Sequence, residues 1–122
     1  MDKIAIIINT ILLASVDLQN LVNGKHYWEL VPEDDKPPFI TFSIIENTEA
    51  TKDFSGDYEI RLTSYEKTLG DVSIIDSELK KTLVNFSDGV TRVKNLGAQS
   101  GYSDDETRSA VIIRNFNLKT RL

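Results

Sequence analysis

The first stretch of the chain is apolar nearly all round. Ile4, Ile8, Ile11, Leu18 and Val22 fall at helical spacing, with Ser15 interrupting the stripe, while Ile6, Ile7, Leu12, Leu13 and Val16 lie on other faces. A helix of this kind is buried on more than one side, and in a small domain a partner can supply the second side. Asp2 suits the N-cap, and Asn23-Gly24 supplies a left-handed stop. Lys3 before the apolar run gives it the look of a thin signal peptide, but it reads here as a helix of the fold. The run is too short for a membrane span, which takes about 20 apolar residues.

The pattern then turns to strands. Residues 26–31 alternate weakly, and 32–38 form a loop with acidic residues and adjacent Pro37-Pro38. Residues 39–46, rich in Ile, Phe and Thr, predict a strand buried on both faces. A polar connection over 47–55 leads through Gly56-Asp57 into 58–65. There Tyr58, Ile60 and Leu62 alternate with Glu59, Arg61 and Thr63, the clearest period of two in the chain. These two strands are expected to form a hairpin with a long tip.

A second helix begins near Thr68, which with Asp71 resembles a capping box. Val72, Ile75, Leu79 and Leu83 make its apolar stripe, with Asp76, Glu78, Lys80 and Lys81 facing away or flanking it. Asp88-Gly89 marks a turn, 90–96 a fourth strand, and 97–105 a small-residue loop carrying Tyr102. Residues 106–122 close the chain as a long strand. Ala110, Ile112, Phe116, Leu118 and Leu122 share one face with Arg114 as the exception, and Asn115, Asn117, Lys119 and Arg121 take the other. The order is α-β-β-β-α-β-β. It predicts a single α+β domain over 1–122, with a mainly antiparallel sheet of four to five strands and two helices packed on one face.

Charge narrows the function classes. The chain has 122 residues and a net charge of −5, which disfavours a dedicated nucleic-acid binder. Acidic residues crowd the middle, from Glu29 to Glu59, where only Lys36 and Lys52 oppose them. From Arg108 onward stand Arg114, Lys119 and Arg121 with no acid. Both regions can be plain solvated surface. Alternatively the acidic side of one subunit meets the basic side of its neighbour, and such complementarity sets register.

Catalytic chemistry is sparse. There is no cysteine, so disulfides and thiolate ligands are excluded. His26 is the sole histidine, so any triad would have to use it; it reads instead as a partly exposed structural residue, and one His without Cys disfavours a transition-metal site. Asp34-Asp35 and Asp104-Asp105-Glu106 read as solvated loop residues. The run from Asp53 to Glu59 starts like a calcium loop, but Tyr58 stands where that pattern needs Gly and Ser64 where it needs Glu. No phosphate-binding glycine loop is present. Arg92, Lys94, Arg108 and Arg114 offer a weak basic strip without clustered aromatics. We therefore expect no enzyme, no cofactor and no metal, only surfaces for assembly. Trp28, Phe54 and Tyr102 are aromatics in or beside predicted loops; for any one of them plugging the loop onto the core is the first expectation, and serving as an interface anchor the second. The candidate interaction residues are Asn47, Thr48, Asp53 and Phe54 in the hairpin tip, and Tyr102, Asp104 and Asp105 in the later loop.

One stretch carries a family resemblance. Leu21-Val22-Asn23-Gly24 is followed by His26-Tyr27-Trp28, an acidic spacer and Pro37-Pro38-Phe39-Ile40-Thr41-Phe42. Then come Asp53-Phe54-Ser55-Gly56-Asp57, the strand at 58–65 and the helix around Val72 to Leu83. This resembles the tail-completion, or tail-terminator, proteins of long-tailed bacteriophages and prophages. His26 departs from the family, which often carries Arg-Ile-Tyr around that position. The resemblance implies a structural role in the virion tail, with assembly in the cytoplasm of a bacterial host. It implies a ring, typically of six copies, that ends the tail tube and joins it to the head connector. Its partners would be itself, the tail tube protein and the connector proteins. DNA would pass through without specific binding, and no membrane would be involved. The alternative is a small protein-binding module of a bacterial secretion or regulatory system.

Overall fold

The computed structural model describes residues 3–29, 36–48, 56–86, 88–102 and 109–120. The elements are α1 (Lys3–Leu13), α2 (Val16–Val22), β1 (His26–Trp28), β2 (Phe39–Thr48), β3 (Gly56–Glu66), α3 (Leu69–Val84), β4 (Thr91–Tyr102) and β5 (Ala110–Thr120). They form a five-stranded sheet in the order β1-β2-β3-β5-β4. β1 runs parallel to β2, and the other neighbouring pairs are antiparallel. The fold is α+β, as expected.

The predicted first helix is in fact two, bent by 92° at the break. Ser15 stands at the break. Its backbone is extended (φ −94°, ψ 106°) and its Oγ accepts the Leu18 N–H at 3.2 Å, so it caps α2 rather than continuing α1. The Gln19 amide then donates to the Leu12 carbonyl at 2.8 Å and satisfies an orphan acceptor at the end of α1. The stop after α2 is as read. Asn23 and Gly24 both have positive φ, 54° and 72°, and the Gly24 N–H returns to the Gln19 carbonyl.

All three helices cover one face of the sheet. Ile4, Ile8, Ile11 and Leu12 of α1, Leu18 and Val22 of α2, and Ile75, Leu79 and Leu83 of α3 form one cluster with Ile40, Phe42, Ile60, Leu62, Phe116 and Leu118. α1 touches β1, and α3 lies over β3, β5 and β4. Thr68 caps α3, its Oγ1 accepting the Asp71 N–H at 3.1 Å. Asp76, expected to face away or flank, is instead buried on the inner side of α3. It stands four residues after Val72 and one after Ile75, inside the apolar stripe rather than beside it.

The β2–β3 hairpin forms as predicted. β2 is not uniformly buried on both faces: Ile40 and Phe42 are buried on the helix side, whereas Thr41 and Ser43 are half-buried and Ile45 is exposed. Phe39 on the other face is covered by rings, with Tyr65 at 4.6 Å and Tyr27 at 6.2 Å between centroids. The larger correction concerns β4. The strand does not end at Leu96 but runs on to Tyr102, so 97–102 is not loop. Small polar residues there have weak strand preference, yet β5 pairs with each of them, from Gly97↔Asn115 to Tyr102↔Ala110. A bulge between Asn95 and Gly97 carries the strand past the break in alternation, and Gly97 takes φ 126°.

Candidate interaction surface

The sequence-derived candidates do not converge. Asn47 and Thr48 are not tip residues but end β2, opposite Tyr58 and Asp57. Tyr102 ends β4 opposite Ala110 and is 53% exposed. Through the register, Thr48 lies level with Arg92, at the other end of β4 from Tyr102. Asp53, Phe54, Asp104 and Asp105 lie outside the described residues.

A polar network lies on the helix side of the sheet. Arg114 Nε donates to Asp76 Oδ1 at 2.9 Å and Nη2 to Asp76 Oδ2 at 2.7 Å, while Nη1 donates to Asn95 Oδ1 at 2.8 Å. The hydrogen bond to Asp76 holds the Arg114 pKa above its ordinary value. Arg114 thus breaks the apolar face of β5 because α3 presents a carboxylate to it. It lies on the opposite face from Arg92 and Lys94, so the basic strip does not form. His26, on β1, is half-buried against Phe42, and neither ring nitrogen has a hydrogen-bond partner. Burial lowers its pKa. Among the described residues no group of three or more His, Cys, Asp or Glu side chains could hold a metal ion.

The other face of the sheet carries no helix among the described residues. Two shallow concavities lie there, of about 370 and 560 Å³, sharing Arg61, Gln99 and Ile113. Arg61 Nε donates to Asn115 Oδ1 at 3.3 Å across the β3–β5 pair. The charges on this face are mixed, with Arg61 on β3 beside two acids. Glu59 and Asp57 stand on β3, Lys119 on β5, and Arg92 and Lys94 on β4. Lys119 is 3.8 Å from Asp57, so part of the basic end of β5 is matched within the chain.

Among the described residues both edges of the sheet present open backbone. β1 covers β2 only over Ile40–Phe42, and the Glu29 N–H donates to the Phe42 carbonyl at 2.9 Å. Among the described residues no strand flanks the outer side of β2 over 43–48, or of β4 anywhere. Each of these edges has a bulge, and the residue it skips is a large exposed hydrophobe: Ile45 at 41% and Leu96 at 48%. Sequence reading missed this, because a bulge is set by pairing and has no local pattern. The helix layer adds a second exposed apolar strip, Ile6 and Leu13 on α1 with Val16 beyond the bend. The sequence did announce that one: a helix apolar on every side cannot bury every side in one small domain.

This α+β fold is shared with a chain of known structure. A chain from the structure of the virion of a native gene transfer agent particle superposes with a TM-score of 0.67. The match covers 93% of this chain and 90% of that one, at 15% sequence identity. No family model matches the sequence, and no curated protein matches it.

Proposed function

We propose that the chain is a structural protein of a phage or prophage virion, acting as the tail terminator or head–tail joining ring, and that it catalyses nothing. The observation that carries this reading is the fold shared over nearly the whole length with a component of a virion particle. The surfaces support it. Two sheet edges that no described strand covers and an exposed apolar strip on α1 are features of a subunit that meets copies of itself and other proteins.

In this role copies close into a ring, of six in the assembled tail, through heterologous contacts. The ring caps the tail tube and receives the head connector. DNA passes through without specific binding, in keeping with a net charge of −5, since cationic contacts are what hold phosphates. The test is assembly of the particle that encodes the chain, with the chain removed. Tails of uncontrolled length without heads are the expected outcome. Tails of normal length joined to heads would refute the role.

A further inference from the structure

The outer side of α3 and the open face of the sheet correspond to one another through the thickness of the molecule. α3 begins at Leu69, soon after β3 ends at Glu66, and runs back along it. Asp76 of α3 bonds Arg114, which pairs with Leu62, so these three residues share one level. A helix rises about 1.5 Å per residue and a strand about 3.3 Å. Two residues along α3 and one residue back along β3 are therefore nearly the same step. Glu78 lies level with Arg61, Ile74 with the Thr63–Ile113 row, and Lys81 close to Glu59. On α3, Ile74 is 56% exposed, Lys81 is exposed and Glu78 is half-buried. Arg61, Ile113 and Glu59 lie on the face of the sheet away from the helices. The same three strands, β3, β5 and β4, carry α3 on one face and the concavities around Arg61 on the other.

We propose that the open face of the sheet is covered by the helix layer of a second copy of this chain, with Arg61 entering the recess between that copy's α2 and α3. The assignment deepens the ring reading above and rests on it. Arg61 uses Nε on Asn115, and among the described residues its Nη1 and Nη2 have no acceptor. The Asn115 contact holds the guanidinium plane and leaves its forked end to a group from outside. The recess, of about 330 Å³, is lined by Leu21, Ser73, Ile74, Ser77 and Glu78. It gives an arginine stem an apolar wall and its head a carboxylate. Among the described residues no cation of the same chain pairs with Glu78. A copy displaced along the normal to the sheet brings Ile74 over Ile113, Glu78 to Arg61 and Lys81 toward Glu59. One apolar contact and two of opposite charge then act together. Turning each copy about an axis parallel to the strands leaves the levels unchanged, so the match survives closure into a ring. The contact is heterologous, since the back of one copy meets the front of the next. Two copies meeting sheet to sheet would leave Ile74 and the recess uncovered.

The test is charge reversal in the full chain, read as association by light scattering and sedimentation, with circular dichroism to check that each variant folds. Arg61→Glu and Glu78→Arg each set like charges against one another at the contact. Each is expected to weaken association by about tenfold or more. Mixing the two single variants should restore it, because each then offers the other an opposite charge on both sides of the contact. The double variant Arg61→Glu/Glu78→Arg should restore it as well. Ile74→Ser, at an exposed position, should weaken association without any change of charge. Loss in the single variants that neither the mixture nor the double variant restores would overturn the assignment. A native chain that stays monomeric at its highest attainable concentration would overturn it too. A native oligomer indifferent to both reversals would overturn this contact and leave the ring standing, and the particle-assembly test would then judge the ring role on its own.

Discussion

Arg114 on β5 reaches across the inner layer to Asp76 on α3 and meets both carboxylate oxygens, at 2.9 and 2.7 Å. The side chains are only 14% and 9% exposed. The pair fixes how α3 sits on the sheet, since each group would be an unmatched charge without the other. Loss of one partner is the costly change, because the survivor keeps its desolvation penalty. Asp76→Ala should lower unfolding stability by about 3 kcal/mol in urea titration. The double variant Asp76→Leu/Arg114→Met should recover most of that loss, since an apolar pair of similar volume carries no such penalty. Equal destabilisation by the single and double variants would show that packing, not charge pairing, matters here.

What could be read from the sequence depended on how local the cause was. The Thr68 cap, the α3 stripe and the 58–65 alternation arise within a few residues, and each was legible. Ser15 was visible as an interruption, but its capping role depends on a bend that only the packing of α2 reveals. The strand over 97–102 has little preference of its own and exists because β5 pairs with it. The interaction surface was the least legible part. Of the anchors that sequence reading put in loops, Asn47, Thr48 and Tyr102 stand at strand ends, and the others lie outside the described residues. Arg114 counted toward the basic tail but is consumed internally by Asp76.

The two capped helices should respond alike to loss of their caps. Ser15→Ala and Thr68→Ala each remove one side-chain acceptor from a helix N-terminus, at 3.2 and 3.1 Å. Each should cost about 1 kcal/mol in thermal or urea unfolding. Ser15→Ala has a second expected consequence. Without the cap the 92° bend loses a local determinant, so amide exchange around 14–18 should rise more than exchange in α3. Unchanged protection there would mean that the burial of Leu18 and Val22 sets the bend without help from the cap.

Gly97 and Gly101 make a matched comparison on one strand. A Cβ at either position meets nothing within 4 Å, so space does not separate them. Backbone conformation does, because Gly97 holds φ 126° beside the bulge. Gly97→Ala should destabilise by about 1–3 kcal/mol, the range for residues forced into sparsely populated backbone regions. Gly101→Ala should stay within about 0.5 kcal/mol, as surface changes do. Equal stabilities in chemical denaturation would mean that the bulge relaxes when Gly97 is replaced.

The one histidine sets an expected pH dependence with a defined sign. Both ring nitrogens of His26 lack partners, and burial lowers its pKa below the ordinary value of 6.5. A base whose pKa is lower folded than unfolded binds fewer protons in the folded state. Stability is therefore full above pH 6.5 and falls as the pH drops from there toward the lowered folded value. Carboxylates ordinarily titrate below this window. No second histidine shares it. The melting temperature should fall between pH 7.5 and 5.5 in the native chain. In His26→Phe, which keeps the apolar contact with Phe42, that fall should shrink. The loss should first appear where β1 pairs with β2, as faster amide exchange at Ile40 and Phe42, because His26 lies opposite Ile40 and β1 is only three residues long. An identical pH profile in the two proteins would mean that water reaches the imidazole readily enough to solvate its charge.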